Sequence, residues 1–276
     1  MSQPFVVPVL SDAEFDTLLE ETLAQPLPEG VGKFAVFDAD ETLWACDVGE
    51  DFFEWFVETE RLHPSIATKV LAALTSLNPE LSTNPIEALH QLWAGYRQGL
   101  YHGVEAYVLM VWCMAGHRAA QLQAWAEARI PSLLEGRVYT EQLDTLHKLE
   151  RAGIRCFIIS ASNLWSVRAG AAFLPFPLEQ VRAIGLEVHD GLVTDLLIRP
   201  MPVDTGKPEV VQQLGLGKPL FGFGDSRYDI PMLSQCHQPI LINPKPIAVA
   251  TAAQHPQLPW KQRHLISPIA KRKGDT

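Results

Sequence analysis

The chain has 276 residues, of which 47% are hydrophobic and 20% charged, so it has the length for one large or two modest domains and is too apolar to be disordered. A formal net charge of −10 argues against a nucleic acid or other polyanion as partner, though a few local donors suffice to hold one small phosphate. No run approaches the roughly 18 apolar residues of a membrane span. The start carries no basic and apolar leader pattern, and Cys46, Cys113, Cys156 and Cys236 are far apart with no CxxC pair, so a cytoplasmic protein that does not engage a membrane is expected.

The first apolar run, Lys33-Phe-Ala-Val-Phe37, is short and continuous and ends in Asp38-Ala39-Asp40, as suits a strand covered on both faces in a parallel sheet. From about Ala45 to Arg137 no strand pattern occurs. Helical periodicity there predicts helices over Gly49–Arg61, Ser65–Leu77, Pro85–Gln98, Val104–Met114 and Ala119–Leu134, separated by Pro64, Asn78-Pro79, Asn84-Pro85, Gly99 and Gly116. Such a block is too long for an ordinary crossover and reads as an inserted domain. Tyr139–Arg151 is a further helix, stopped at Gly153, and a second buried strand, Ile154–Ile159, ends at Ser160. Asn163–Ala172 is the next helix, and Gly185–Ile198 reads as a hairpin around Asp190-Gly191. Buried strands over Pro219–Gly224 and Pro239–Ile242 end at Asp225 and Asn243. Leu258–Ile266 adds an edge strand or packs across the core, and the basic tail after Ser267 is expected to be frayed and solvated.

The expected fold class is therefore α/β, a doubly wound, mostly parallel sheet with an inserted all-helical domain. Residues 1–44 and 138–276 form the core and 45–137 the insert. In open α/β sheets ligands bind beyond the carboxyl ends of the strands, where the polar residues that end these runs converge.

Asp38 and Asp40 lie two apart in extended backbone and so face the same way. Converging carboxylates repel unless a cation sits between them, and hard oxygen ligands suit Mg²⁺. That metal neutralises charge in phosphoryl transfer, and a carboxylate can itself attack phosphorus. Taken alone, these residues fit a polar strand end with an acidic turn equally well. Other motifs fail: Gly222-Phe-Gly224 lacks a third glycine and is followed by an aspartate, Lys218 is followed by Pro219, which breaks a phosphate-loop pattern, and no H-E-x-x-H occurs.

In combination, four short segments in fixed order resemble the haloacid dehalogenase superfamily. They are Asp38-Ala-Asp-Glu-Thr42, Ser160 in Ile-Ile-Ser-Ala-Ser162, Lys207 in Asp204-Thr-Gly-Lys-Pro208, and Gly222-Phe-Gly-Asp-Ser-Arg-Tyr-Asp229. The resemblance covers roughly residues 33–243 and implies a Mg²⁺-dependent phosphomonoesterase. It implies that Asp38 is the nucleophile and a metal ligand, and that Asp40 is general acid and then base, with its backbone carbonyl on the metal. Asp225 is then the second carboxylate on the metal, and Asp229 a further ligand, an orienting group or the partner of Lys207. Ser160 and the backbone N–H of Ala161 hold phosphoryl oxygens, Thr42 belongs to the substrate site, and Lys207 offsets transition-state charge. Lys218 is the competing lysine, and capping of the next helix is the competing role for Ser160.

An insert directly after the first motif resembles the helical cap of this superfamily, which implies a small phosphorylated substrate. The form of the second motif is most similar to the phosphoserine phosphatase-like subgroup. Asp47 stands nine positions after Asp38, where those enzymes carry an acidic residue for the substrate ammonium, while none of Arg61, Arg97, Arg118 and Arg129 matches their carboxylate-binding arginine. Trp44, Trp55, Trp93, Trp112 and Trp125 either pack the insert's own core or offer faces for a quaternary ammonium, and on the second reading phosphocholine and phosphoethanolamine are candidates beside phosphoserine. The alternatives are a phosphotransferase or mutase of the same superfamily, or a catalytically silent binding protein. The chain is expected to act as a monomer or homodimer.

Overall fold

The computed structural model describes residues 5–101 and 103–266. The elements run α1 (Asp12–Ala24), β1 (Val31–Phe37), α2 (Val48–Glu58), α3 (Pro64–Leu77), α4 (Pro85–Arg97), α5 (Gly103–Trp112), α6 (Ala119–Leu134), α7 (Thr140–Arg151), β2 (Arg155–Asn163), α8 (Leu164–Ala171), β3 (Val181–Ile184), β4 (Leu186–His189), β5 (Leu192–Leu197), α9 (Gly206–Gln213), β6 (Lys218–Gly224), α10 (Ile230–Leu233), β7 (Gln238–Ile242), α11 (Pro246–Ala252) and β8 (Lys261–Arg263). Six strands form one parallel sheet in the order β3-β2-β1-β6-β7-β8, and β4 and β5 form a separate antiparallel hairpin. The strand order reverses between β1 and β6, so their carboxyl ends open the crevice in which such sheets bind ligands.

The continuous apolar runs do what their composition predicts: Phe34, Ala35, Val36 and Phe37 of β1 and Leu220, Phe221 and Phe223 of β6 are fully covered on both faces. Phe37 stacks on Phe223 with centroids 4.3 Å apart, and Phe15 of α1 meets Phe221 and Phe223 edge-on. α1 is started by a capping box of Ser11 and Glu14. The chain leading into it lies beside β8, where Leu10 N–H donates to the Gln262 carbonyl. Leu258–Ile266 thus yields the edge strand β8. No helix among the described residues is long and apolar enough to cross a membrane. The tail after Ser267 lies outside the described residues.

The five helices α2–α6 follow one another without a strand, as their periodicity predicts. Their buried faces (Phe52, Phe56, Val70, Leu89, Leu122, Ile130) belong to the same apolar cluster as Phe37, Ile158 and Phe223. The main departure from expectation is β2. It does not stop at Ser160 but continues to Asn163, with its pairing to β3 shifted between Ser160 and Asn163. Asn163, not Ser160, caps the next helix, accepting from Ser166 N–H at 2.9 Å. Replacing Phe223 with Ala removes the ring at the centre of the Phe15–Phe37–Phe223 stack and should cost about 3–5 kcal/mol, read as a lowered denaturation midpoint.

Candidate active site

Asp38 is the first residue beyond β1, and its N–H donates to the Phe223 carbonyl at 2.9 Å, so the β1–β6 pairing itself fixes its position. Its Oδ1 accepts from Lys207 Nζ at 2.6 Å, and the same ammonium donates to Asp229 Oδ1 at 2.5 Å. All three groups are buried. Lys207 lies in the first turn of α9, and a Cβ on the preceding Gly206 would sit 2.0 Å from the Met201 carbonyl oxygen. Only glycine allows the backbone that close, and this approach carries Lys207 into the crevice. Lys218 is exposed at the start of β6, which removes it as the competing lysine.

Asp40 is held on three sides. Trp44 Nε1 and Val48 N–H each donate to Oδ1 at 2.8 Å, and Ser162 Oγ donates to Oδ2 at 2.5 Å. Val48 opens α2, so the insert's first helix grips the carboxylate directly. Gly49 makes this possible, since a Cβ there would meet Ser162 Oγ at 2.4 Å. Ser160 is buried and lines the crevice with Ala161, its Oγ accepting from Ser162 N–H at 3.1 Å.

The acidic pair after β6 divides its labour. Asp229 Oδ2 accepts from Ser226 N–H, Ser226 Oγ and Asp225 N–H, while its Oδ1 is taken by Lys207. Asp225 is also buried, yet its carboxylate accepts no hydrogen bond from the described residues; the nearest cation is Lys245 Nζ at 3.8 Å. One carboxylate oxygen from each of Asp38, Asp225 and Asp229 lies within 4.8 Å of the others. Burial and then repulsion by Asp229 push Asp38 up to about 7, against the pull of Lys207. Burial, then Asp229 and Asp38, push Asp225 up to about 8. Burial pulls Lys207 down, but Asp229 and Asp38 outweigh it and hold its ammonium above the usual range. One ammonium leaves this buried cluster short of positive charge, and hard carboxylate oxygens fit Mg²⁺ as the ion that completes it. With Asp229 and the Asp40 carboxylate engaged by protein donors, Asp38, Asp225 and the Asp40 backbone carbonyl are the groups left to hold a metal.

A cavity of about 860 Å³ opens over this cluster. Asp38, Asp40, Asp47, Ser160, Ala161, Lys207 and Asp225 all line it. Thr42 does not: it is fully buried, its carbonyl accepting from Gln142 Nε2 at 3.0 Å, so its place is beneath the site and not at the substrate. Asp47 caps α2 by accepting from Glu50 N–H at 2.7 Å. Burial, then Asp40 and Glu50, hold the Asp47 carboxyl well above the ordinary range.

The expected tryptophan lining is corrected by the structure. Trp44 is buried against Asp40, the Arg61 guanidinium lies over the rings of both Trp55 and Trp125 at 4.5 and 4.3 Å, Trp112 faces Lys69, and Trp93 packs on Phe53 and Tyr96. Their faces are taken by the protein's own cations and rings. Tyr96, Tyr101, Tyr107 and Tyr228 line the cavity instead. Sequence reasoning also missed Glu50, Ser162, Arg227 and Lys245. Ser162 and Arg227 stand inside quoted motifs, and Lys245 lies just past the end of β7, the position that strand-end logic singles out. Of Arg61, Arg97, Arg118 and Arg129, Arg97 alone lines the cavity.

Replacing Lys207 with Met strands two buried carboxylates and should cost about 3–5 kcal/mol at pH 8 in metal-free buffer. Asp38 already binds its proton more tightly folded than unfolded, so protonation favours the folded state as pH falls through about 7. The deficit of the variant should therefore shrink between pH 8 and pH 5, measured as the difference in unfolding midpoint from the parent protein.

Residues 35–234 match the haloacid dehalogenase-like hydrolase family. Comparison with curated proteins gives no match. Among solved structures, a protein of unknown function from Bordetella pertussis Tohama I is similar with 21% identity, 83% of this chain and 97% of that chain covered, and a TM-score of 0.62. A conserved protein of unknown function from Anaerococcus prevotii DSM 20548 has 16% identity, coverages of 87% and 88%, and a TM-score of 0.61. A HAD family hydrolase from Salmonella enterica serovar Typhi has 17% identity, coverages of 95% and 82%, and a TM-score of 0.52. At these identities the structures speak for the fold alone, whereas the sequence match spans most of the chain and takes in all four motifs: the chain belongs to the haloacid dehalogenase-like hydrolase family.

Proposed function

We propose that the chain is a phosphomonoesterase that hydrolyses a small phosphorylated metabolite through an aspartyl-phosphate on Asp38. The observation that carries this reading is the pairing of two unlike aspartates. Asp38 faces the cavity with one oxygen neutralised by Lys207, and Asp40 is clamped beside it by Trp44, Val48 N–H and Ser162.

In the first step an Asp38 oxygen attacks phosphorus, the P–O bond to the leaving group breaks, and the Asp40 carboxyl gives its proton to the departing oxygen. Burial raises the Asp40 carboxyl above the usual range, which suits a group that must arrive protonated. In the second step Asp40 takes a proton from water as that water attacks the phosphoryl group, and inorganic phosphate and free Asp38 are released. Lys207, the Ser160 hydroxyl and the Ala161 N–H face the phosphoryl oxygens and offset their charge. Mg²⁺ held by Asp38, Asp225 and the Asp40 carbonyl would supply further neutralisation of the phosphoryl group.

The insert covers the cavity with Asp47, Glu50 and three tyrosines, the composition of a site for a small polar substrate and not for a protein surface. Phosphoserine, phosphoethanolamine and phosphocholine stay on the substrate panel because Asp47 and Glu50 can meet an ammonium. With the tryptophans turned away, a quaternary ammonium is the least favoured of the three. The test is phosphate release from small phosphomonoesters, with Mg²⁺ or with EDTA, by the parent protein and by Asp38→Asn and Asp40→Asn. Turnover should require Mg²⁺, vanish in Asp38→Asn and fall about 10²–10⁴-fold in Asp40→Asn. Full activity in Asp38→Asn would remove the covalent mechanism, and turnover only when an acceptor alcohol is supplied would make the protein a phosphotransferase.

A further inference from the structure

Arg227 and Lys245 are cavity-lining cations with no role in the chemistry just described. Arg227 stands in the turn after β6, and Lys245 follows β7, the neighbouring strand. The turn over Arg227–Asp229 packs against α11, which Lys245 leads into, so both cations sit on one supported wall of the cavity. Arg227 has no carboxylate within ion-pair distance among the described residues; its guanidinium donates to the Tyr228 hydroxyl at 2.9 Å. The Lys245 ammonium is 64% exposed, and its one ion pair is the 3.8 Å approach to Asp225, too long for a hydrogen bond. Lys207, by contrast, spends two of its three donors on Asp38 and Asp229. Arg97 lies 3.5 Å from Glu54.

Resting on the phosphomonoesterase reading, we infer that Lys245 and Arg227 form a second anion site, and that the preferred substrate carries a carboxylate or a second phosphate besides the phosphoryl group transferred. Of the acidic cavity residues, Asp47 and Glu50 belong to the insert, while Asp38, Asp40, Glu41 and Asp225 stand on the sheet side with the two cations. Among the described residues none of these carboxylates holds Arg227 or Lys245 by a hydrogen bond, the approach of Lys245 to Asp225 being 3.8 Å, so both cations keep donors for a substrate anion. A planar guanidinium and a mobile ammonium together accept either anion, so the shared chemistry is a negative group a few bonds from the ester. The alternative is that Lys245 serves only to neutralise Asp225 and Glu41, and Arg227 only Asp204.

The experiment compares glycerol 3-phosphate, 3-phosphoglycerate and 1,3-propanediol bisphosphate as substrates of the Mg²⁺-loaded protein. The last two share the three-carbon frame and distinguish carboxylate from phosphate. At least one of them should exceed glycerol 3-phosphate about tenfold or more in kcat/KM, mainly through KM. In Lys245→Met and Arg227→Met that ratio should collapse toward one, and Lys245→Arg should restore it. Equal losses on all three compounds, with the ratio kept, would overturn the inference and make Lys245 a partner of the reacting phosphoryl group. No preference in the parent protein would overturn it as well. Should none be hydrolysed, binding of the same compounds to the parent protein by calorimetry separates the two readings. A Lys245-dependent preference for the doubly anionic ligand would keep the second site while the phosphatase reading fails, and its absence would remove both.

Discussion

The buried ammonium of Lys207 between Asp38 and Asp229 is the contact on which the rest of the site depends. Three aspartates cannot share a dry crevice without positive charge, because each unpaired buried carboxylate costs several kcal/mol of desolvation. Lys207 reaches them only because Gly206 lets the start of α9 press against Met201. Asp229 then uses its other oxygen to fix Ser226 and the Asp225 N–H, which shapes the turn after β6. One ion pair thus joins the ends of β1 and β6 to α9. The charge it leaves unbalanced, centred on Asp225, is the part a divalent ion would complete.

A second constraint links the insert to the chemistry. Asp40 lies on the loop after β1, but one of its three donors is the N–H of Val48, in the first turn of α2. Ser162, another donor, is so close to Gly49 that no side chain fits between them. The first turn of α2 is therefore part of the cavity floor. Any opening of the insert has to bend the chain beyond that turn, or else release the Asp40 carboxylate from its clamp. Substrate access and the orientation of Asp40 are coupled by geometry and need no further device.

The sheet and the helical insert were legible because they follow from strong local patterns: continuous apolar runs ending at Asp38 and Asp225, and helical periodicity interrupted by proline and glycine. The motif residues Asp38, Asp40, Lys207 and Asp225 were legible for a related reason, since each sits just past a strand or in the first turn of a helix, whereas Ser160 lines the cavity from within β2, which runs on to Asn163. α1 announced itself through the Ser11–Glu14 capping box, a signal the chain pattern contained and the strand-centred reading passed over. β3 is too short for periodicity to mark. Thr42 shows that proximity in a motif does not place a residue at the cavity: it is fully buried, and its backbone carbonyl accepts from Gln142.

The aromatic residues show where sequence reasoning ends. A tryptophan is a ready receptor for a cation, but the sequence does not reveal whether a cation of the chain has already claimed it. Arg61 occupies the faces of both Trp55 and Trp125, and the Trp44 N–H is committed to Asp40. Large flat rings gain from burial, and in the insert Trp93 is buried while Trp55, Trp112 and Trp125 pack half-buried against its apolar cluster. Tyrosine has a hydroxyl that favours a wet boundary, and there the Tyr96 hydroxyl donates to that of Tyr107 at 3.3 Å. A cavity wall of tyrosine, carboxylate and cation selects by hydrogen bonds and charge, which discriminate more sharply than apolar contact because an unsuitable ligand leaves buried polar groups unpaired. The specificity of this site therefore resides in its polar wall, and the tryptophan count describes how the insert is held together.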